Sequence, residues 1–430
     1  MKKLLPLNLI SNLSKFTDER KKSVKKTILS AYASTFKYER LRLGRTLEYV
    51  TEGTNTSKSY VSKFENNILQ PNEDVLRLLF ERINIDYDRL KLYKQEQDIN
   101  TYLYLYYHFD YQKIAELFEN MDDSYYLSTN SLIKLIAYLT ANRFDDFIEE
   151  AKKLDDIKKT LIDDEFHVFL ALSIEFYLKT AQYLKAKEYM EALDSLRIEH
   201  SLLEILREDQ KFLINHYLNV KSSVSFPFDS PDLNKEFSLK RSLRRKILEM
   251  ENRTFPADKN PFDQLEKENI PEVLLPTFHY AKVSYYIKQQ QFENAIKFIE
   301  EKKLNDWPFL GLLAYCIRNH ILKDNEYYKT GLKLLKKTVA KKDVTAINRY
   351  HCDFVRLIVM EIEEQPLIDI YDYYNDVIIV NLPIQQNLFY DSYIASQYIK
   401  VLGKISHYKE IYLFLQNFNF RLKNLQLDLI

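Results

Sequence analysis

Residues 46–67, reading TLEYVTEGTNTSKSYVSKFENN, constrain this chain more than any other stretch of it. The pattern predicts a short helix, a tight turn at Thr54, Asn55 and Thr56, and a second helix opening after Ser57. The Ser57 hydroxyl suits an orphan backbone N–H at a helix start. In the second helix Val61 and Phe64 share one face at i, i+3. Lys58, Ser59, Ser62 and Lys63 are left pointing outward. Asn55 stands where the turn needs a left-handed residue, which Asn tolerates better than most. A helix pair of this kind, with a polar and basic outer face on the second member, can be laid into a DNA major groove.

The remaining composition also favours helices. Only 5 of 430 residues are Gly, whereas strands, hairpins and phosphate loops use Gly freely. Apolar residues make up 46%, and the 33 Tyr and 26 Phe suit helix–helix seams and peptide sites. Two cysteines, Cys316 and Cys352, fit a reducing compartment. No run of eighteen apolar residues predicts a membrane span. The opening MKKLLPLNLI starts like a signal peptide, but its apolar run is short, is broken by Pro6 and Asn8, and lacks a small-residue cleavage site. A cytoplasmic protein is expected. Charge is uneven despite a net of zero. Residues 1–65 hold 14 Lys/Arg against 6 Asp/Glu, and the remainder holds 48 against 56. A basic head on an acidic body implies that the head meets polyanions.

Around the central stretch, helical spacing runs over 23–43 through Val24, Ile28, Tyr32, Phe36, Leu41 and Leu43, and Gly44 ends it. Thr46 caps the next helix, and Gly53 falls inside that helix. Asn72, Glu73 and Asp74 open another amphipathic helix with Val75, Leu76, Leu78, Leu79 and Ile83. From Phe36 to about Asp88 this resembles a Cro-repressor/XRE-type helix-turn-helix domain. The matching residues are Arg40-Leu41-Arg42, then Thr46, Glu48 and Val50, then Ser57-Lys58-Ser59-Tyr60-Val61-Ser62-Lys63-Phe64-Glu65-Asn66, with Pro71 beyond. The resemblance implies that Lys58, Ser59 and Lys63 sit over base edges. It places Ser57, Tyr60, Ser62 and Asn66 near phosphates, and pairs Arg40 with Glu65 to join the first and third helices. Leu47, Thr51 and Thr54 depart from the family's usual residues. Lys21, Lys22, Lys25 and Lys26, in a basic extension over 1–30, offer further phosphate contacts.

Beyond the 31–92 head, one pattern recurs: an apolar or aromatic residue, Phe/Tyr six positions on, and an apolar or small residue three later. It occurs at Leu105/Tyr111/Ile114, Tyr138/Phe144/Phe147, Tyr177/Tyr183/Ala186, Tyr286/Phe292/Ala295, Ile321/Tyr327/Thr330 and Leu402/Tyr408/Ile411. Each copy reads as a helix end, a polar turn and a helix start, as in YLTANRFDDF and YIKQQQFENA. Period and spacing resemble tetratricopeptide repeats. The expected fold is therefore all-α: a helix-turn-helix domain, then a right-handed superhelical array of helical hairpins over 95–221 and 277–430. Residues 222–276 interrupt the array with six of the eleven prolines and a basic helix bearing Lys240, Arg241, Arg244, Arg245 and Lys246. The last helices are expected to cap the array or to dimerise.

Stacked helix pairs make a concave face suited to an extended peptide. Tyr285, Tyr315, Asn319, Asn348 and Tyr350 are the candidate peptide contacts, with core or surface roles as the plainer alternative. The whole architecture resembles the peptide-sensing regulators of Gram-positive bacteria, the Rgg, PlcR, PrgX and NprR group. That likeness implies a homodimer on double-stranded DNA, controlled by a short signalling peptide in quorum sensing. A protein-interaction scaffold, or a phage-type repressor whose body only dimerises, stands as the alternative. No enzyme, cofactor or catalytic residue is expected, since there is no glycine-rich phosphate loop, HExxH or nucleophile elbow. Cys316 with His320, and His351 beside Cys352, read as buried helical residues rather than metal ligands.

Overall fold

The computed structural model describes residues 8–22, 31–94, 98–121, 126–197, 201–218, 235–251, 260–267, 269–320, 326–340, 344, 348–380 and 388–425. These are helical, and no strand occurs among them. Val24, Ile28, Lys25, Lys26 and Ile321 lie outside the described residues. The chain divides into two compact units, one of residues 7–179 and 184–214, the other containing 180–183 and 215–430.

In the first unit α1 is Leu13–Lys22, α2 Ala31–Arg42, α3 Leu47–Thr51, α4 Lys58–Glu65, α5 Glu73–Glu81 and α6 Tyr87–Lys94. Helix pairs follow: α7 Ile99–Tyr107 with α8 Tyr111–Glu119, α9 Ser128–Thr140 with α10 Phe144–Ile157, and α11 Asp163–Lys179 with α12 Tyr183–Asp194, then α13 Ser201–Tyr217. Helix α9 packs on α10 and on the first helices of the pairs at either side, α7 and α11. In the second unit α14 is Lys235–Glu251, α15 Pro261–Leu265, α16 Leu275–Lys288, α17 Phe292–Glu301, α18 Trp307–Asn319 and α19 Glu326–Val339. Next come α20 Arg349–Ile362, α21 Leu367–Tyr373 running into a π turn at Tyr374–Ile379, α22 Leu388–Lys404 and α23 Tyr408–Leu425. Again first helices touch in series, α16 on α18, α18 on α20 and α22. Helices α18 and α22 approach so closely that a Cβ on Gly311 would collide with the Tyr390 hydroxyl.

The six-residue spacing of the repeat has a backbone cause. Tyr138 is the third residue from the end of α9, counting Thr140 as the first, Asn142 takes φ +54, and Phe144 is the first residue of α10. The Arg143 N–H donates to the Tyr138 carbonyl at 2.9 Å, and the Asn142 N–H to the Leu139 carbonyl at 3.4 Å. That pair of bonds closes a helix end through one left-handed residue. The same closure recurs at Leu105 with Phe109 (φ +58), Tyr286 with Gln290 (φ +57) and Leu402 with Ser406 (φ +60). Ala181 (φ +54) occupies the equivalent position after Tyr177. Each turn is so short that the residue ending one helix's closure precedes the next helix directly. Scarcity of Gly thus does not mean scarcity of left-handed backbone: Asn supplies it with less strain, and Gln, Lys, Glu, Ser, Phe and Ala supply it at a cost of roughly 1–2 kcal/mol each. The third repeat position is buried at Ile114, Phe147, Ala186 and Ala295.

The copy at 321–330 departs from the pattern. Thr330 is exposed, and Tyr328 and Gly331 face the core instead, one residue on in register. Gly331 packs closely there: a Cβ would meet Ile317 Cδ1 at 2.8 Å, and that side-chain end would have to move aside. The basic helix expected between Pro231 and Pro256 is α14, which packs on α16 with Ile247 in one cluster with Phe278, Ala281 and Tyr285. Arg241 is buried in it, and Arg245 pairs with Glu249 at 2.7 Å.

Candidate nucleic-acid interface

The head is built around Phe36, which meets the rings of Phe64 at 5.5 Å and Phe80 at 5.4 Å, with Val50, Val61, Leu76 and Leu79 completing the core. Helix α2 closes at Gly44, φ +63, with the Arg45 N–H on the Arg40 carbonyl at 2.9 Å. Thr46 Oγ1 then accepts from the Tyr49 N–H at 3.2 Å and starts α3. That helix ends at Thr51, earlier than the sequence pattern suggests. Gly53 therefore lies in the turn at φ +75, where it relieves strain rather than weakening a helix. Asn55 takes φ +52. Thr54 is buried, and its hydroxyl is satisfied by the Thr51 carbonyl at 3.0 Å and Thr56 Oγ1 at 2.7 Å.

Ser57 Oγ accepts from the Tyr60 N–H at 3.1 Å and starts α4. Val61, Phe64 and Glu65 are buried, while Lys58, Ser59 and Lys63 are exposed and Tyr60, Ser62 and Asn66 half-buried. The Asn66 amide donates to the Ser62 carbonyl at 2.8 Å. Arg40 and Glu65 are both buried and form a two-bond ion pair, Nε to Oε1 and Nη2 to Oε2 at 2.8 Å; Arg40 Nη1 also donates to the Arg45 carbonyl at 2.7 Å. This fork holds α4 against the C-terminal end of α2. Lys58 is paired across the turn with Glu48, and its ammonium holds that carboxyl down to about 2. Both partners are exposed, so Lys58 can exchange Glu48 for an acceptor on a ligand. Tyr49 is flanked by the guanidinium groups of Arg45 at 4.2 Å and Arg82 at 4.7 Å.

The head shares its unit with the first helix pairs and is bonded to them. The Tyr38 ring stacks on Tyr126 at 3.7 Å, Leu127 enters the head's core, and Ser34 and Ser128 hydroxyls meet at 3.2 Å. Residue Asn67, fully buried at φ +56, donates its amide to the Thr160 carbonyl at 3.1 Å. Helix α1 joins the same bodies: Phe16 packs edge-on to Phe166 at 5.1 Å, and Arg20 pairs with Asp163 at 2.7 Å. Lys21 pairs with Asp18 at 3.1 Å on its exposed side. None of the contacts between the head or α1 and the helix pairs was anticipated from the sequence, where each rests on single residues far apart.

The candidate peptide residues fall in the second unit and divide by exposure. Tyr285 and Tyr350 are core residues, 4% and 3% exposed, so they do not line an open face. Tyr350 donates to Asp391 at 2.5 Å, and Tyr285 packs on Phe262. Tyr315, Asn319 and Asn348 are half-buried, and the Asn319 amide donates to the Tyr315 carbonyl at 2.8 Å. Cys316 and Cys352 are buried, which pushes both thiols up. Among the described residues, no cluster of His, Cys, Asp and Glu could hold a metal ion, and no helix is long and apolar enough to cross a membrane.

No curated protein and no solved structure matches the chain. A family model described as helix-turn-helix matches residues 36–90, the span from the ring at the centre of the head to the buried Leu90 of α6. Residues 36–90 are therefore an XRE-type helix-turn-helix domain, the DNA-binding module of transcription regulators, in a chain whose other described residues form helices and their turns.

Proposed function

We propose that this protein is a sequence-specific transcription regulator that binds double-stranded DNA as a homodimer in the cytoplasm and is controlled by a short signalling peptide. The observation that carries the DNA half is the division of α4: an apolar face locked by Phe64 and the Arg40–Glu65 fork, and an outer edge of Lys58, Ser59 and Lys63. In this reading Lys58, Ser59 and Lys63 read base edges, and Ser57, Tyr60, Ser62 and Asn66 bind phosphates, which set register without specifying sequence. The peptide half is supported by the paired helices and by the resemblance of head and body together to peptide-sensing regulators. Tyr315, Asn319 and Asn348 remain its candidate contacts, whereas the burial of Tyr285 and Tyr350 removes them from it.

Recovery of protein-bound DNA from native cells, with and without small peptides from the spent medium, tests both halves. Discrete sites whose occupancy responds to the peptide fraction are expected. Discrete sites indifferent to it would leave a repressor that needs no ligand, and an absence of enriched sites would favour a protein-interaction scaffold.

A further inference from the structure

An acid from the neighbouring helix reaches the outer edge of α4. Glu48 stands in the first turn of α3, and its carboxylate pairs with the Lys58 ammonium at the start of α4. The two side chains are 60% and 57% exposed, and an ion pair so open to water adds little to folding stability. Its consequence lies in what Lys58 can meet. The carboxylate is anchored at its own end: after Lys58, Glu48's own backbone N–H and the Thr46 side chain also stabilise its charged form. Lys58 is the mobile partner, a compact charge on a four-carbon stem. The neighbouring acids are otherwise engaged. Glu65 is buried against Arg40, and Glu52, at the end of α3, pairs with Arg82 at 3.5 Å.

Such a pair sorts the acceptors that DNA offers. A phosphate brought to the Lys58 ammonium also comes close to the Glu48 carboxylate, well inside the screening distance of about 8–10 Å, and the two anions repel. A guanine O6 or N7 is a neutral acceptor and meets no such repulsion. An ammonium has three donor hydrogens, so Lys58 can donate to a base while it stays beside Glu48. We propose that Glu48 is a specificity-determining residue, whose carboxylate positions the Lys58 ammonium for base edges and holds it off the phosphate backbone. This rests on the DNA-binding reading. Lys58 then contributes sequence preference and little sequence-independent affinity, because a cation already matched by Glu48 releases few counterions from DNA.

The test uses the full chain, a duplex recovered by wild type from a random library, and a scrambled duplex of equal length. Binding is measured between about 50 and 200 mM salt for wild type, Glu48→Gln, Glu48→Asp, Lys58→Ala and the double variant Glu48→Gln/Lys58→Ala. Glu48→Gln frees Lys58 for phosphates, so it should bind the scrambled duplex more tightly and steepen the salt slope by about 0.9. Its preference for the selected duplex should fall about five-fold or more. Glu48→Asp keeps the charge and should keep the preference. In the Lys58→Ala background, removing the Glu48 charge should leave the ratio of the two duplexes unchanged. Equal tightening of both duplexes by Glu48→Gln, with preference relaxed in Lys58→Ala, would show a general charge effect; it would overturn the positioning role and leave the DNA reading standing. The same fall in ratio with and without Lys58 would also overturn it. Failure of wild type to select any sequence would overturn both readings.

Discussion

Glu65 is the residue on which the head's geometry turns. It is buried, and Arg40 occupies both of its oxygens. Glu65→Ala would leave a buried guanidinium without its partner, a change that costs about 3–5 kcal/mol. Denaturant unfolding of the intact protein, followed by a probe in the head, should show a loss of that size, whereas Glu48→Ala at the exposed pair with Lys58 should change stability little. Loss of the same size at both positions would contradict the distinction drawn between a buried fork and a surface pair. At this scale legibility was mixed. Caps at Thr46 and Ser57 were readable because Ser and Thr before an apolar periodic run have a local cause. The pairing of Arg40 with Glu65 was suggested only by resemblance, since a separation of 25 residues carries no local signal. For Tyr285 and Tyr350 the sequence left a core role open beside a peptide contact, and both are buried.

For the elements, the recurrent unit is a helix end that closes through one left-handed residue and restarts at once. The sequence showed its spacing but not its mechanism, because the residues bearing positive φ share no chemistry: Phe109, Asn142, Ala181, Gln290 and Ser406. A fixed count between helix end and helix start was therefore a better signal than residue type. Where the count fails, at 321–330, Tyr328 and Gly331 take the core positions and the register shifts by one. The account makes a prediction here. Gln290 is exposed and its side chain is not needed for the turn, so Gln290→Gly should stabilise the second unit by up to about 1 kcal/mol by removing the left-handed strain. Thermal unfolding should show a raised midpoint. A lowered one would mean that the extra freedom of the unfolded chain outweighs the strain relieved.

Taken as a whole molecule, the chain does not divide where its composition changes. The basic head belongs to the same compact unit as the first helix pairs, tied to them by Asn67 and Thr160, Ser34 and Ser128, and Tyr38 and Tyr126. Separations above eighty residues and single polar partners left this seam invisible in the sequence. Burial also leaves a whole-molecule signature in pH. The imidazoles of His167, His279 and His351 are all held below their ordinary values chiefly by burial, His351 to about 4. Below about pH 6.5 the unfolded chain binds protons that these folded groups refuse, so stability falls as pH drops from there toward 4. His351 alone contributes roughly 2–3 kcal/mol at the acid end. Between about pH 6.5 and 4 the melting temperature of wild type should fall more steeply than that of His351→Gln, in which that leg flattens; identical slopes would place the acid sensitivity elsewhere.

The most direct test of the central claim, that α4 reads DNA sequence, is selection from a random duplex library by the intact protein and by Lys58→Ala side by side. Wild type should recover a discrete motif, and the variant should recover the same motif with one position degenerate, corresponding to a loss of about 1–3 kcal/mol of discrimination there. Identical motifs from both proteins, or no motif from wild type, would contradict the assignment of Lys58 and of α4 to base recognition.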